Sequence, residues 1–266
     1  MRSTDYVLGT NDEEAARLAL QHEVWRPCVL ELWRRAGLTS GSRVADVGAG
    51  PGAATLDLAD LVGDRGRVVA LERSARFVDV LRRRAPSNVE VVQADLMTDP
   101  IDVTGLDAAW CRWVACFVPS PATLVQRVAG MLRPGGVFIS HEYVDYASWR
   151  LLPSRPEIEM FVAEVMASWR EDGGEPDIAR SLPALLGTHG FVVEQVTPRM
   201  FAARPGEPMW RWPAAFVRSG AERLRELGRV DDRWVRSVVQ ALDDAERDPR
   251  TIMLTPLVLE MIAVRR

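Results

Sequence analysis

The stretch Arg43-Val44-Ala45-Asp46-Val47-Gly48-Ala49-Gly50-Pro51-Gly52 decides the fold of this 266-residue chain. Its first half is a short run with β-branched residues, which suits a buried strand. Its second half sets three glycines in five positions, where the backbone can turn sharply and approach a ligand closely. An apolar helix follows from Ala53 to Leu61. The unit is strand, tight turn and helix, and the helix start presents its N–H groups to whatever lies above the turn.

Working outward, the alternation repeats. Gly66 to Glu72, Val89 to Asp95 and Leu106 to Val114 read as strands, with helices over Ala75 to Ala85 and Pro121 to Leu132. Arg133-Pro134-Gly135-Gly136 then leads into a strand at Val137 to Ser140. A sixth strand is expected at Phe191 to Arg199 and a last one near Leu257 to Val264. Strands alternating with helices at this spacing require right-handed crossovers, so the fold class is α/β, a doubly wound, mostly parallel seven-stranded sheet. Residues 1–40 read as a helical cap, with a break or helix start at Pro27 and a second helix from Cys28 to Ala36. Residues 41–266 form the main domain, with helical insertions at about 144–176 and 200–250. Pro156 to Arg170 reads as a helix in the first insertion, and Asp177 to Thr188 as another between the two.

Composition narrows the function classes. The chain has 33 basic and 37 acidic residues, a formal charge of −4, and every basic residue is Arg. A nucleic-acid partner held by a strongly basic face is not expected. Cys28, Cys111 and Cys116 are too few and too scattered for a disulfide framework or a zinc site. No charged-then-apolar leader starts at Met1 and no apolar run reaches the length of a membrane span, so a cytoplasmic protein without a membrane partner is expected.

The glycine turn admits two ligand classes. Gly48, Gly50 and Ala53 satisfy a relaxed dinucleotide fingerprint, and Glu72 lies at a suitable distance downstream to hold a ribose. Asp46 argues against that reading, because a carboxylate two residues before the first glycine repels a pyrophosphate. It suits a ligand that presents an ammonium or sulfonium. Glu72, ending the second strand, can accept from two ribose hydroxyls, and Ala94-Asp95, ending the third, from an adenine amino group. All these residues fall at the carboxyl ends of adjacent strands, where doubly wound folds bind ligands.

This set, Val44 to Gly52, Glu72, Ala94-Asp95 and Leu132-Arg133-Pro134-Gly135-Gly136 before a strand, resembles the class I S-adenosylmethionine-dependent methyltransferases of small-molecule and natural-product type. The resemblance covers roughly residues 40–142. It implies S-adenosyl-L-methionine as cofactor, with Gly48, Ala49, Gly50 and Gly52 along its methionine and ribose side. Asp46 would sit near its amino group, Glu72 and Arg73 at the ribose, and Ala94, Asp95 and Leu96 at the adenine. The leader, with Tyr6, Arg17 and Gln21, would close over the cofactor and reach its carboxylate. Cys111 and Arg112, at the end of the fourth strand, would lie beside the transferable methyl group, facing cofactor or substrate.

In the same resemblance, His141 or Glu142 after the fifth strand occupies the usual place of a catalytic base. A strand turns the two to opposite faces, so only one can face the site. The unperturbed imidazole pKa near 6.5 suits proton removal from a hydroxyl. Trp149, Phe161, Trp169, Trp210, Trp212 and Phe216 fall mostly at helical spacing and pack as core, yet their concentration in the insertions points to a lid over an apolar, aromatic acceptor. The expected reaction is metal-independent SN2 transfer to the oxygen or nitrogen of a small molecule in secondary metabolism, and a homodimer is compatible with it. Three other readings stay open: a nucleic-acid or protein methyltransferase, an NAD-dependent oxidoreductase, and a non-catalytic binding protein on the same scaffold.

Overall fold

The computed structural model describes residues 8–266, so Tyr6 lies outside the described residues. Asn11 opens the first helix, α1 (Asp12–Arg35), its side-chain oxygen accepting from the Glu14 amide at 2.8 Å. Asp12, Glu13 and Glu14 put negative charge in the first turn, where the helix dipole favours it. Pro27 does not divide this helix, as the sequence had suggested, but sits inside it. The reason is burial on both sides of the proline: Trp25, Val29, Leu32 and Trp33 are all out of solvent. At ~1.5–3 kcal/mol for each large side chain, their burial outweighs the ~3 kcal/mol that one interior proline costs.

The sheet and its crossovers follow as β1 (Arg43–Val47), α2 (Ala53–Val62), β2 (Arg67–Glu72), α3 (Ala75–Arg82), β3 (Val89–Gln93), β4 (Leu106–Arg112), α4 (Pro121–Met131) and β5 (Leu132–Asp145). The rest of the chain gives β6 (Arg150–Leu152), α5 (Pro156–Glu171), α6 (Leu182–Thr188), β7 (Phe191–Arg199), β8 (Ala202–Ala203), α7 (Pro208–Glu226), α8 (Asp232–Arg247), β9 (Ile252–Leu254) and β10 (Leu257–Arg265). Seven strands form one sheet in the order β3-β2-β1-β4-β5-β10-β7. The first five are parallel, and β10 runs antiparallel to both neighbours. The expected α/β, mostly parallel seven-stranded sheet is therefore present. Its central strands are buried nearly throughout, which is why they read as unbroken apolar runs.

Two features differ from the sequence expectation. The helix expected from Asp177 is a short 3-10 turn at Ile178–Arg180 followed by α6, because Pro183 has no N–H to donate and marks a helix start. A second sheet, in the order β6-β9-β8, also joins three segments far apart in sequence. Its strands have two or three residues each, too short for periodicity to announce them.

The turn after β1 positions the site. Gly48, Gly50 and Gly52 have φ of 72°, 56° and 92°, a region other residues enter only at a cost. The amides of Gly48 and Ala49 donate to the Leu71 carbonyl at 2.9 and 3.0 Å, tying the turn to β2. At Gly52 a Cβ would fall 2.2 Å from Cδ1 of Leu81, itself fully buried. This glycine therefore serves the packing of α2 against α3. Gly52→Ala is expected to lower unfolding stability by about 2 kcal/mol, from left-handed strain and overpacking together, and urea denaturation reads the change.

Candidate active site

Over the carboxyl ends of β1, β2, β3 and β4 lies an open-sided cavity of about 1520 Å³. That space includes solvent at the open side, and its lining divides into two halves. One half is walled by the glycine turn and the acidic strand ends, the other by aromatic rings from the loop after β4, the end of β5, α5 and α7.

In the acidic half, Asp46 is buried and its Oδ2 accepts from the Thr55 hydroxyl of α2 at 2.6 Å. Burial pushes its carboxyl up to about 6, with the Thr55 bond and the Arg112 charge pulling the other way. Glu72 accepts from the Gly50 amide on Oε2 and from the Ser74 amide on Oε1, both at 2.8 Å. Burial raises its pKa, partly offset by the amides of Ser74 and Gly50. Each oxygen keeps a second lone pair, so this carboxylate braces the turn and can still accept from a diol. Asp95 accepts from the Met97 amide on Oδ1 at 2.8 Å. Gly48, Ala49, Gly50, Arg73, Ala94 and Leu96 also line this half, together with Phe77 and Met97, which sequence reasoning did not single out. Phe77 lies on the amphipathic face of α3, where periodicity marks it only as core.

The roof comes from α1. Arg17 grips Glu14 with two hydrogen bonds of 2.7 Å and donates to Gln21 at 3.1 Å, and its guanidinium lies 5.3 Å from the centre of the Phe216 ring. The Gln21 carbonyl oxygen also accepts from the Trp212 indole at 3.0 Å, fastening α1 to α7. Arg112 lines the cavity from β4. Its Nη2 meets Nδ1 of His22 at 3.0 Å, while its Nη1 is shielded from solvent with no hydrogen-bond partner among the described residues.

The aromatic half is built around Trp113, whose φ of 51° is the only positive value at a non-glycine residue among those described. Its ring lies parallel to Tyr143 and to Trp212, with both centroids 5.3 Å away and 13° between planes. Tyr146, Trp149, Trp169 and Phe216 complete an apolar wall. Residues expected to be packing in helical insertions are therefore both core and cavity lining. The backbone that aims Trp113 is held by Glu142, whose Oε1 accepts from the amides of Val114 and Ala115 at 2.9 and 2.8 Å. Val114 in turn occupies the space beside Gly48, where a Cβ would meet its Cγ2 at 2.4 Å.

Four residues expected at the site do not reach the cavity. Gly52 packs on Leu81, as above. Cys111 is fully buried on the opposite face of β4 from Arg112, and burial pushes its thiol well above the ordinary range. Glu142 is fully buried beneath the loop it holds, and burial raises its carboxyl to about 7. His141, the expected base, has no exposure: its ring packs edge-on to Trp25 and Trp110, and Nε2 meets Glu260 Oε1 at 3.2 Å. The cause is the late, antiparallel β10, which covers the outer edge of β5 and sets Glu260 directly opposite His141. Glu260 also pairs with Arg199 at 3.0 Å and with Arg35. Burial pushes its carboxyl up, but bonds and charge from His141 and Arg199 outweigh this and hold it below the usual range. This cluster locks the last strands to α1. Glu260→Ala is expected to cost about 2–3 kcal/mol, just under the value for a fully buried pair because Arg35 and Arg199 can turn to water. Thermal unfolding checks this, and affinity for the cofactor should stay unchanged.

Comparison with known proteins agrees with this geometry. Residues 45–140 match the family described as "Methyltransferase domain". The chain is 28% identical over 188 residues to the demethylmenaquinone methyltransferase of Lactococcus lactis, covering 65% of this chain and 73% of that enzyme. It is also 28% identical over 124 residues to the Staphylococcus epidermidis enzyme of the same name, where the match covers 46% of this chain and half the length of the relative. Among solved structures, the geranyl diphosphate C-methyltransferase of Streptomyces coelicolor superposes with a TM-score of 0.57 at 14% identity, over 92% of this chain and 82% of that one. Residues 45–140 thus carry a methyltransferase domain, and the glycine turn with three acids at adjacent strand ends gives it a site that fits S-adenosylmethionine.

Proposed function

We propose that the chain transfers the methyl group of S-adenosylmethionine to a small, largely apolar acceptor seated in the aromatic half of the cavity. The observation that carries this reading is the division of one cavity into an acidic half and an aromatic half that meet at Asp46, Trp113 and Arg112. The donor set fits the cofactor: Asp46 for an ammonium, Glu72 for a ribose diol, and Asp95 for an adenine amino group beside the apolar Leu96, Met97 and Phe77. When bound, the cofactor supplies an electrophilic methyl group and departs as a neutral thioether. Arg17, Gln21 and Trp212 form a hydrogen-bonded roof that excludes water. The stacked Trp113, Tyr143 and Trp212 hold the acceptor in line, so that proximity and alignment supply most of the rate.

No histidine lines the cavity among the described residues. A neutral amine, an enol carbon or an already ionised phenol suits this lining, because each offers a nucleophilic electron pair without a histidine to remove a proton first. Relatives named for demethylmenaquinone support an acceptor of apolar, ring-containing character. Incubation with S-adenosylmethionine and a panel of such compounds, read by mass spectrometry for one added methyl group, tests the proposal. Failure of the protein to bind S-adenosylhomocysteine by calorimetry would refute it outright.

Two further outcomes are expected. Asp46 must be ionised to hold the ammonium, and its carboxyl titrates at about 6 in the ligand-free protein. Affinity for S-adenosylhomocysteine should then fall as pH drops below 6, approaching tenfold per unit, with proton release on binding near that pH. In Asp46→Asn the dependence should vanish. Trp113→Ala should raise KM for the acceptor about tenfold or more while leaving cofactor affinity nearly unchanged, which steady-state kinetics and calorimetry separate.

A further inference from the structure

Arg112 is half-buried, and its inner nitrogen Nη1 is shielded from water with no hydrogen-bond partner among the described residues, so its neighbours leave its charge unanswered. On β4 it follows the alternation that turns Trp110 toward α1, and its guanidinium carbon lies 5.9 Å from the Trp110 ring centre and 5.2 Å from that of Trp113. Among the described residues, the one hydrogen-bond partner of its side chain is His22. Burial, then the Arg112 charge, lower the His22 imidazole to about 4, so at neutral pH that ring carries no charge. The other His22 nitrogen, Nε2, lies 3.0 Å from Asp57 Oδ2 and must donate to it, which leaves Nδ1 to accept from Arg112. The charge of Asp57 is taken by Arg26, at 2.6 and 3.2 Å. Asp46 attracts Arg112 through space, yet no carboxylate among the described residues forms an ion pair with it. Burial consequently lowers the Arg112 guanidinium to about 10. Arg17, the other cation under the roof, differs in being matched by the Glu14 carboxylate.

A buried charge without a counter-charge is costly, and a site that maintains one is set to gain that energy when an anion arrives. The planar guanidinium fork, held by His22 on one arm and flanked by two indoles, suits a carboxylate at the shielded arm. We infer that Arg112 Nη1 is the seat of a carboxylate carried by a ligand of the cavity, either the amino-acid end of the cofactor or an acidic group on the acceptor. The first source rests on the cofactor assignment above, and the second does not. Asp46 and Arg112 would then form a zwitterion receptor, with the acid for an ammonium and the guanidinium for its carboxylate, while Arg17 is left to fasten the roof.

The test uses the full chain with calorimetry and thermal unfolding. Wild-type protein is titrated with S-adenosylmethionine and with decarboxylated S-adenosylmethionine, which differs from it in lacking the carboxylate. Benzoate is then titrated into the protein with and without S-adenosylhomocysteine bound. The cofactor source is established if the wild type prefers the carboxylate-bearing compound tenfold or more, Arg112→Met abolishes that preference, and Arg112→Lys restores part of it. The acceptor source is established if cofactor affinity is untouched in Arg112→Met but benzoate binding to the loaded protein is lost. Without ligand, Arg112→Met should melt at or above the wild-type temperature, because an unanswered charge has been removed. A purely structural arginine would give a lower one. A variant that keeps both the preference and benzoate binding, or that melts well below wild type, overturns the inference. Wild-type protein that binds neither adenosyl compound refutes the cofactor assignment instead. Loss of benzoate binding to the unloaded protein in Arg112→Met would then still support Arg112, and its retention would sink it.

Discussion

The rest of the structure depends on five residues of backbone. From Gly48 to Gly52 the chain makes three excursions into positive φ, which no side-chain-bearing sequence adopts cheaply. The turn is not left to find this shape alone. Two of its amides are fixed on the Leu71 carbonyl and a third on the Glu72 carboxylate, so strand β2 acts as the template for the loop leaving β1. Glycine at these positions also lets Val114 and Leu81 come close, drawing the loop after β4 and helix α3 onto the same centre. A single constraint thus brings together the ligand-facing turn, an acid that braces it, and the neighbouring walls.

That arrangement explains how one carboxylate can be both structural and functional. Glu72 spends one lone pair of each oxygen on backbone amides and retains the others. Its buried state is tolerable because two N–H groups answer it. Asp46 accepts from the Thr55 hydroxyl alone among the described residues, and burial, only partly offset by that bond and the Arg112 charge, raises its pKa to about 6. The contrast separates an acid held ready by the protein from one that waits for a ligand's charge.

Much of this was legible in the sequence, and what was not has a common cause. Alternating strands and helices, the glycine spacing and the acids at strand ends are local patterns, and β7 begins and ends where the residues indicated. Asp46, Gly50, Glu72, Asp95 and Arg112 could be placed on one edge of a sheet because their strands are parallel neighbours. His141 could not be judged locally. Whether a histidine at the end of β5 faces a cavity depends on what lies on the far side of that strand, and the answer, Glu260, is 119 residues away. Pro27 is a similar case: its local signal says break, while the apolar residues flanking it say continue, and tertiary burial decides. The unexpected role of Glu142 also depends on a loop 27 and 28 residues earlier whose amides needed an acceptor.

The small β6-β9-β8 sheet joins the chain at residues 150–152, 202–203 and 252–254, flanking the excursions that carry α5, α7 and α8. Both intervening stretches, 153–201 with α5 and 204–251 with α7 and α8, are therefore rooted at one seam. Such a joint gives the helices that carry the aromatic rings an anchorage of their own, so strain in them is taken up at the seam before it reaches the glycine turn and its acids.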